Sequence, residues 1–237
     1  MIDPKGRVVM ISGASRGIGM AIAKTLHAKG YVVSAGARDV DALRAVLKAQ
    51  AGERLICARY DAADRGSHAD WLATTIDRFG RLDALVNNAG TSNTFSIEEG
   101  DEAELDLLWG INVKGPLFLT RACLPHLRTS GSGRVVNLAS LSGKRVRNDN
   151  IAYSMTKHAL LALTHGIRRI GWADGVRATA LCPGFVATDL TADVTKVSRD
   201  EMIDAADLAE LAATAIALPN TAAMAEMLVN CRLEDTL

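Results

Sequence analysis

No stretch of this sequence approaches the ~18 consecutive apolar residues that a membrane-spanning helix needs, although 49% of its 237 residues are apolar. No membrane partner is therefore expected. The opening residues, MIDPKGRVVMISG, carry no charged leader followed by an apolar run and a small-residue cleavage site. No export signal is read there, and a cytoplasmic location is expected. Cysteine is scarce: Cys57, Cys123, Cys182 and Cys231 lie far apart, with no C-x-x-C spacing and no nearby histidine pattern. That argues against a metal centre and for free thiols in a reducing compartment. Charge of one sign is not in excess, since 27 Lys and Arg balance 27 Asp and Glu. The basic footprint of a nucleic-acid binder is thus missing. So are low-complexity linkers and internal repeats.

What is present is alternation. Apolar, β-branched runs at Val8–Ser12, Val32–Ala35, Leu55–Ala58, Ala84–Val86, Arg134–Leu138, Val176–Leu181 and Met224–Asn230 read as strands. Helical patterns lie between them, near 18–29, 40–50, 64–79, 101–128, 151–173 and 203–217. Strands alternating with crossover helices imply parallel pairing with helices on both faces. Right-handed crossovers then give an α/β fold with a doubly wound parallel sheet, a Rossmann-type domain spanning 1–237. The length suits one core. The irregular stretches 91–100, 141–150 and 184–202 are the expected walls of a site, because loops after strand ends build it.

"ISGASRGIG" follows the first strand and opens a helix. Gly13, Gly17 and Gly19 allow a tight turn and close approach of a pyrophosphate, and the helix N-terminus offers free N–H groups. The alternative is a glycine-rich turn with no ligand. "AYSMTK" places Tyr153 and Lys157 four residues apart, one turn along a helix face. A free tyrosine has a pKa of about 10, and a nearby ammonium favours the phenolate and lowers it. A phenol so placed can deliver a proton to a carbonyl oxygen; the alternative is chance spacing on a helix.

The ordered set G13-A-S-R-G17-I-G19, N87-N-A-G90, Asn112, Ser140, Y153-S-M-T-K157 and Pro183-Gly184 resembles the short-chain dehydrogenase/reductase family, in its ordinary single-domain form. The resemblance covers nearly the whole chain. It implies a strand order of 3-2-1-4-5-6-7 and an NAD(H) or NADP(H) cofactor across the strand ends. It implies a catalytic set of Asn112, Ser140, Tyr153 and Lys157. Ser140 would hold the substrate oxygen beside Tyr153; it is preferred over Ser142 because the family serine lies thirteen residues before the tyrosine. Its alternative role is to cap a turn. Lys157 would also bind the nicotinamide ribose, and the Asn112 backbone would hold a water next to it, with a local helix irregularity freeing the carbonyl.

Cofactor contacts are implied for Gly13, Ser15, Arg16, Gly17, Ile18, Gly19, Arg38, Asp61, Asn88, Ala89, Gly90, Tyr153, Lys157, Pro183, Gly184, Val186 and Thr188. Asp61 would meet the adenine amino group, or is an exposed loop acid. Asn87 either supports the sheet or passes the adenosine ribose. Thr188 would bind the nicotinamide carboxamide, or caps the next helix.

The end of the second strand, "VVSAGARD", has Ala37 where an NAD enzyme usually places an acid, then Arg38. Arg38, with Arg16 from the glycine loop, favours a 2′-phosphate and hence NADP(H), with NAD(H) as the alternative. Asp39 is expected to point outward or cap the next helix. "GKRVRND" puts Lys144, Arg145 and Arg147 between Ser140 and Tyr153, either to attract an anionic substrate group or as an ordinary solvated loop. Met155, Ala159, Ala162, Gly166 and Ile170 make a helical stripe of mostly small residues, facing either another subunit or the chain's own sheet. A homodimer or homotetramer is expected. Two features depart from the family pattern: Thr179 replaces a common asparagine, and the C-terminal residues lack a glycine-rich ending. The implied function is hydride transfer between a nicotinamide and a small-molecule carbonyl or secondary alcohol. The competing class, a non-catalytic nucleotide-binding scaffold, is expected to lose the tyrosine or the lysine, and both are kept. An epimerase or dehydratase of the extended subfamily is disfavoured by loop spacing and length.

Overall fold

The computed structural model describes residues 1–47 and 54–234. Seven strands form one sheet: β1 (Val8–Ser12), β2 (Val32–Ala37), β3 (Leu55–Arg59), β4 (Ala84–Asn87), β5 (Arg134–Leu138), β6 (Arg177–Pro183) and β7 (Glu226–Val229). Their order is β3-β2-β1-β4-β5-β6-β7, and every pairing is parallel. This is the doubly wound order implied by the motifs. β1, β2, β4, β5 and β6 are buried along their whole length, as central parallel strands covered on both faces must be.

The helices are α1 (Gly17–Ala28), α2 (Val40–Val46), α3 (Arg65–Phe79), α4 (Glu102–Trp109), α5 (Gly115–Thr129), α6 (Ile151–Gly171) and α7 (Ala205–Ala217). One face of the sheet packs Ile22 and Leu26 of α1 with Leu208, Ala209 and Ala212 of α7; the small alanines allow the two helices to approach closely. The other face packs Trp71 of α3, Leu119 and Leu127 of α5 and Ile167 of α6. No helix among the described residues is long and apolar enough to cross a membrane.

Two helical expectations are corrected. The pattern over 40–50 ends as a helix at Val46, and residues 48–50 lie outside the described residues. The pattern over 101–128 is not one helix. A π turn at Gly110–Lys114 separates α4 from α5. The cause is tertiary: Asn112 bonds sideways to Thr91 and Thr156, and Gly115 packs where a Cβ would meet Ala62 Cβ at 2.9 Å. A sequence period cannot register either constraint. Asp39 does cap α2, accepting from the N–H groups of Asp41 and Ala42.

Asp83 ties the far end of the sheet together. Its carboxylate is fully buried and accepts from Val8 N at 2.9 Å, Arg81 Nε at 2.8 Å and Ser130 Oγ at 2.8 Å, with Arg7 at 3.6 Å. Burial pushes this carboxyl up, but those bonds and the charge of Arg7 outweigh it and hold it below its ordinary value. Asp83→Ala leaves Arg7 buried without its counter-charge, so the expected loss is about 3–5 kcal/mol, read by urea unfolding at neutral pH. A depressed pKa stabilises the fold above the unfolded value and loses that stabilisation as pH falls through the folded one. The difference between wild type and variant should therefore shrink on acidification below about pH 4.

Candidate active site

The strand order reverses between β1 and β4, so a crevice opens at their carboxyl ends. Ser12 and Asn88 hold that crevice in shape. Ser12 Oγ accepts the N–H groups of Asn88 at 3.0 Å and Ala89 at 3.1 Å, and donates to Val86 O at 3.3 Å. Asn88 Nδ2 donates to Ser12 O at 3.0 Å and Gly13 O at 3.1 Å. Ala14 N reaches Gly36 O at 3.2 Å, which pins the glycine loop to β2 as well. Gly13 has φ +68° and Gly17 φ +54°. A Cβ on Gly19 would fall 2.3 Å from both Asn88 Nδ2 and Gly13 O. Only glycine fits there.

α2, α3, α4 and α7 each start under an aspartate cap, and α6 under Asn150. α1 starts from Arg16, which makes no side-chain cap bond, and its first turn has no acidic residue. Its N–H groups and dipole are therefore open to an external anion. Ser15 borders the loop, and Ile18 packs inward on the core.

Ser140, Tyr153 and Lys157 come together beyond β5. Ser140 caps a short 3₁₀ turn over Leu141–Gly143, where its Oγ accepts from Ser142 N at 3.1 Å. The capping alternative is thus real. Lys157 is 7% exposed. Its Nζ donates to Leu138 O at 2.8 Å and lies 5.4 Å from the centroid of the Tyr153 ring. The expectation that Lys157 lowers the Tyr153 pKa is not met in this arrangement. Burial of the phenol pushes it above its ordinary value, while the neighbouring Ser140 works the other way. Burial also pushes the Lys157 ammonium down to about 8, against the neighbouring Cys182, which raises it. Desolvation outweighs the spacing of the pair.

Asn112 sits in the π turn, 1% exposed. Its Oδ1 accepts from Thr91 N at 2.9 Å; its Nδ2 donates to Thr91 O at 2.9 Å and Thr156 Oγ1 at 3.2 Å. The helix irregularity expected at this residue is present. Gly90 lies beside it: a Cβ there would be 3.3 Å from Asn112 Oδ1 and 3.8 Å from Lys157 Nζ. Asn87 is a sheet residue, bonding Thr120 Oγ1 at 3.0 Å and Asn137 Oδ1 at 2.8 Å within the core.

Around this centre the remaining candidates take distinct places. Asp61 is half-buried after β3, with Oδ1 accepting from Ala63 N at 3.0 Å. Pro183 ends β6; Gly184 N donates to Val229 O at 2.8 Å, and Val186 is buried opposite Ile203. Thr188 stands at the N-cap of a 3₁₀ turn and touches Gly17, whose added Cβ would meet Thr188 Cγ2 at 3.2 Å. Arg38 is exposed and bonds to none of the described residues. Arg16 does not turn toward Arg38; it pairs with Asp189 at 3.3 Å, both largely exposed. A cleft of about 570 Å³ runs from Ser15–Gly17 to Thr188, with Arg199 on its wall. It holds none of the four catalytic candidates.

The basic loop is paired with acids of the chain itself. Lys144 pairs with Glu226 at 2.7 Å, Arg145 grips Glu234 through Nε at 2.8 Å, and Arg147 reaches Glu234 at 3.2 Å. The three cations of "GKRVRND" are therefore paired with two acids about eighty residues away in sequence, which favours an ordinary loop over an anion-attracting one. Sequence reasoning missed Ser12, Thr91, Asn150 and Thr156. Asn150 alone had a local signal, an asparagine directly before a helix; the others act through long-range bonds.

The sequence model for short chain dehydrogenase matches residues 7–199. Agropine synthesis reductase of Rhizobium rhizogenes is 45% identical over 229 residues, 96% of this chain, and the chain spans about half, 53%, of that protein's length. An uncharacterised oxidoreductase of Staphylococcus saprophyticus is 33% identical over 223 residues, with 93% of this chain and 95% of that protein covered. Among solved structures, an alcohol dehydrogenase from the archaeon Thermococcus sibiricus, complexed with 5-hydroxy-NADP, superposes with TM-score 0.86 at 29% identity, covering 94% of this chain and 95% of that one. A 3-ketoacyl-(acyl-carrier-protein) reductase from Brucella melitensis, complexed with NADH, gives TM-score 0.87 at 26% identity, covering 95% and 96%. With its parallel seven-stranded sheet and this ordered set of site residues, the chain belongs to the short-chain dehydrogenase/reductase family.

Proposed function

We propose that this chain is an NADP(H)-dependent oxidoreductase acting between a carbonyl and a secondary alcohol, with Tyr153 as its general acid and base. The observation that carries the reading is the buried Lys157 ammonium 5.4 Å from the Tyr153 ring, next to Gly90 of the turn whose Ala89 packs on Gly13 of the glycine loop. The residues present fit a dinucleotide. α1 is the loop-started helix left without a side-chain cap among the described residues, and its loop is kept bare of Cβ atoms by Gly13 and Gly19. The bound nicotinamide supplies the hydride that no side chain can provide. Ser140 orients the substrate oxygen. Tyr153, its phenol held protonated by burial, donates the proton to that oxygen. The Lys157 ammonium stabilises the phenolate left behind. The π turn at Asn112 leaves an irregular backbone next to Lys157, suited to a water that returns the proton.

Reduction is the direction suggested by the names of the reductases it resembles. NADP(H) is preferred because the position after β2 offers Arg38, unpaired among the described residues, while the nearby Asp39 is spent on capping α2. The two solved relatives carry one cofactor type each, so the preference rests on this chain's own residues. Self-association has support too: Met155 and Ile170 of the α6 stripe are 46% and 55% exposed, and nothing lies within 4 Å of a Cβ added to Gly166. The stripe faces away from its own sheet.

Tyr153→Phe should cost about 10²–10⁴-fold in turnover on a ketone found by panel screening, with cofactor binding retained; near-normal turnover would remove the proton-donor role. Arg38→Ala should weaken NADPH binding by about 1.5–3 kcal/mol and leave NADH binding almost unchanged in paired titrations. Equal losses for both would show that Arg38 does not read the phosphate. The pH profile of reduction gives a third check. Lys157 is charged below its folded pKa of about 8, and Tyr153 keeps its proton to higher pH. The kcat/KM for reduction should therefore fall as pH rises through about 8, since that parameter reports the free enzyme. A limb only at much higher pH would assign the titration to the phenol, which burial raises, instead.

A further inference from the structure

Tyr153 is held by a closed circuit of hydrogen bonds that joins the two loops walling the site. The Asn150 Oδ1 accepts from Tyr153 N at 3.2 Å. Its Nδ2 donates to Ser92 Oγ at 3.1 Å and, more closely, to Asn93 O. Ile151 N adds a bond to Phe95 O at 3.1 Å. From Ser92 the chain steps back to Thr91, which exchanges two bonds with Asn112. Asn112 donates to Thr156 Oγ1, and that hydroxyl donates to Tyr153 O at 2.8 Å. The circuit thus starts at the N–H of Tyr153 and ends at its carbonyl. Asn150 is the member that spans both loops. It uses its acceptor as a helix cap and its two-proton donor as a clamp on residues 92–93.

We infer that Asn150 is a positioning residue: its amide donor fixes the 91–100 loop against the first turn of α6 and so sets the place of the Tyr153 phenol relative to the substrate oxygen. A cap alone does not need this residue. Asp, Ser or Thr accept from a first-turn N–H equally well, as Asp39, Asp64, Asp101 and Asp204 do elsewhere in this chain. What they lack is the NH₂ group, which supplies donors in addition to an acceptor. α6 is the helix of this chain that carries the proposed proton donor, and it is the capped helix whose cap is an amide. Positional tolerance at a proton donor is small, and displacement by about 1 Å costs on the order of 10²-fold. Releasing one side of the circuit therefore lowers turnover while leaving the glycine loop and cofactor contacts alone.

This rests on Tyr153 being the proton donor, and the test separates the two. Asn150→Asp keeps the cap and removes the clamp; Asn150→Ala removes both. Both are compared with wild type and Tyr153→Phe for thermal stability, for kcat and KM on the same ketone with NADPH, and for amide hydrogen exchange of residues 92–97. The expected result is that Asn150→Asp regains the thermal stability lost in Asn150→Ala, yet shows kcat lowered by about tenfold or more. KM for NADPH should be unchanged, and residues 92–97 should exchange faster in both variants. Wild-type kcat in Asn150→Asp, or unchanged exchange at 92–97, would overturn the clamp. A rise in the NADPH KM with kcat preserved would overturn it as well, because the residue would then serve cofactor binding. If Tyr153→Phe turns over normally, the function itself fails, and positioning of that phenol fails with it.

Discussion

The bond set between Ser12 and Asn88 is the constraint on which the site depends. β1 and β4 are neighbours in the sheet but their crossovers leave in opposite directions. The ladder between them ends at Ile11 and Val86, so the loops beyond need their own ties. Ser12 Oγ takes two backbone N–H groups from the start of the next loop, and Asn88 returns two bonds to the β1 carbonyls. The amide of Asn88 then occupies the place a side chain on Gly19 would need. The glycine pattern is therefore a consequence of this packing as well as of any ligand.

The substrate side is organised by buried polar groups satisfied through one another. Such networks carry a high penalty when one member is lost, because the remaining partners are already desolvated. Asn112 shows how this shapes backbone. Its three bonds to Thr91 and Thr156 are reached by widening the helix into a π turn rather than by ending it. The same desolvation sets the acid–base properties of the site. It raises the phenol and lowers the ammonium, opposite to the effect that a solvent-exposed tyrosine–lysine pair would show.

Charge is distributed by long-range pairing. The loop that leads from Ser140 to α6 carries three cations, and two acids, Glu226 of β7 and Glu234 after it, pair with all three. Arg16 spends its charge on Asp189. Arg38 keeps its charge unpaired among the described residues.

Much of the architecture was legible in the sequence. The apolar period and the alternation of strands with helices determine a doubly wound sheet, and β1 and β5 fall on the residues expected of them. The glycine spacing, the N87-N-A-G90 turn, Ser140, and Tyr153 one turn before Lys157 are local patterns, so they can be read along the chain. The π turn, the partner of Lys157, the ion pairs of the basic loop and the Ser12, Thr91 and Thr156 bonds could not be read this way. Each joins residues between about twenty and ninety positions apart, or depends on how far a group is removed from water. Local spacing fixes which side chains share a helix face or a turn. Only the folded chain decides which distant groups meet there and how dry the meeting place is, because burial and long-range contact are properties of the whole packing.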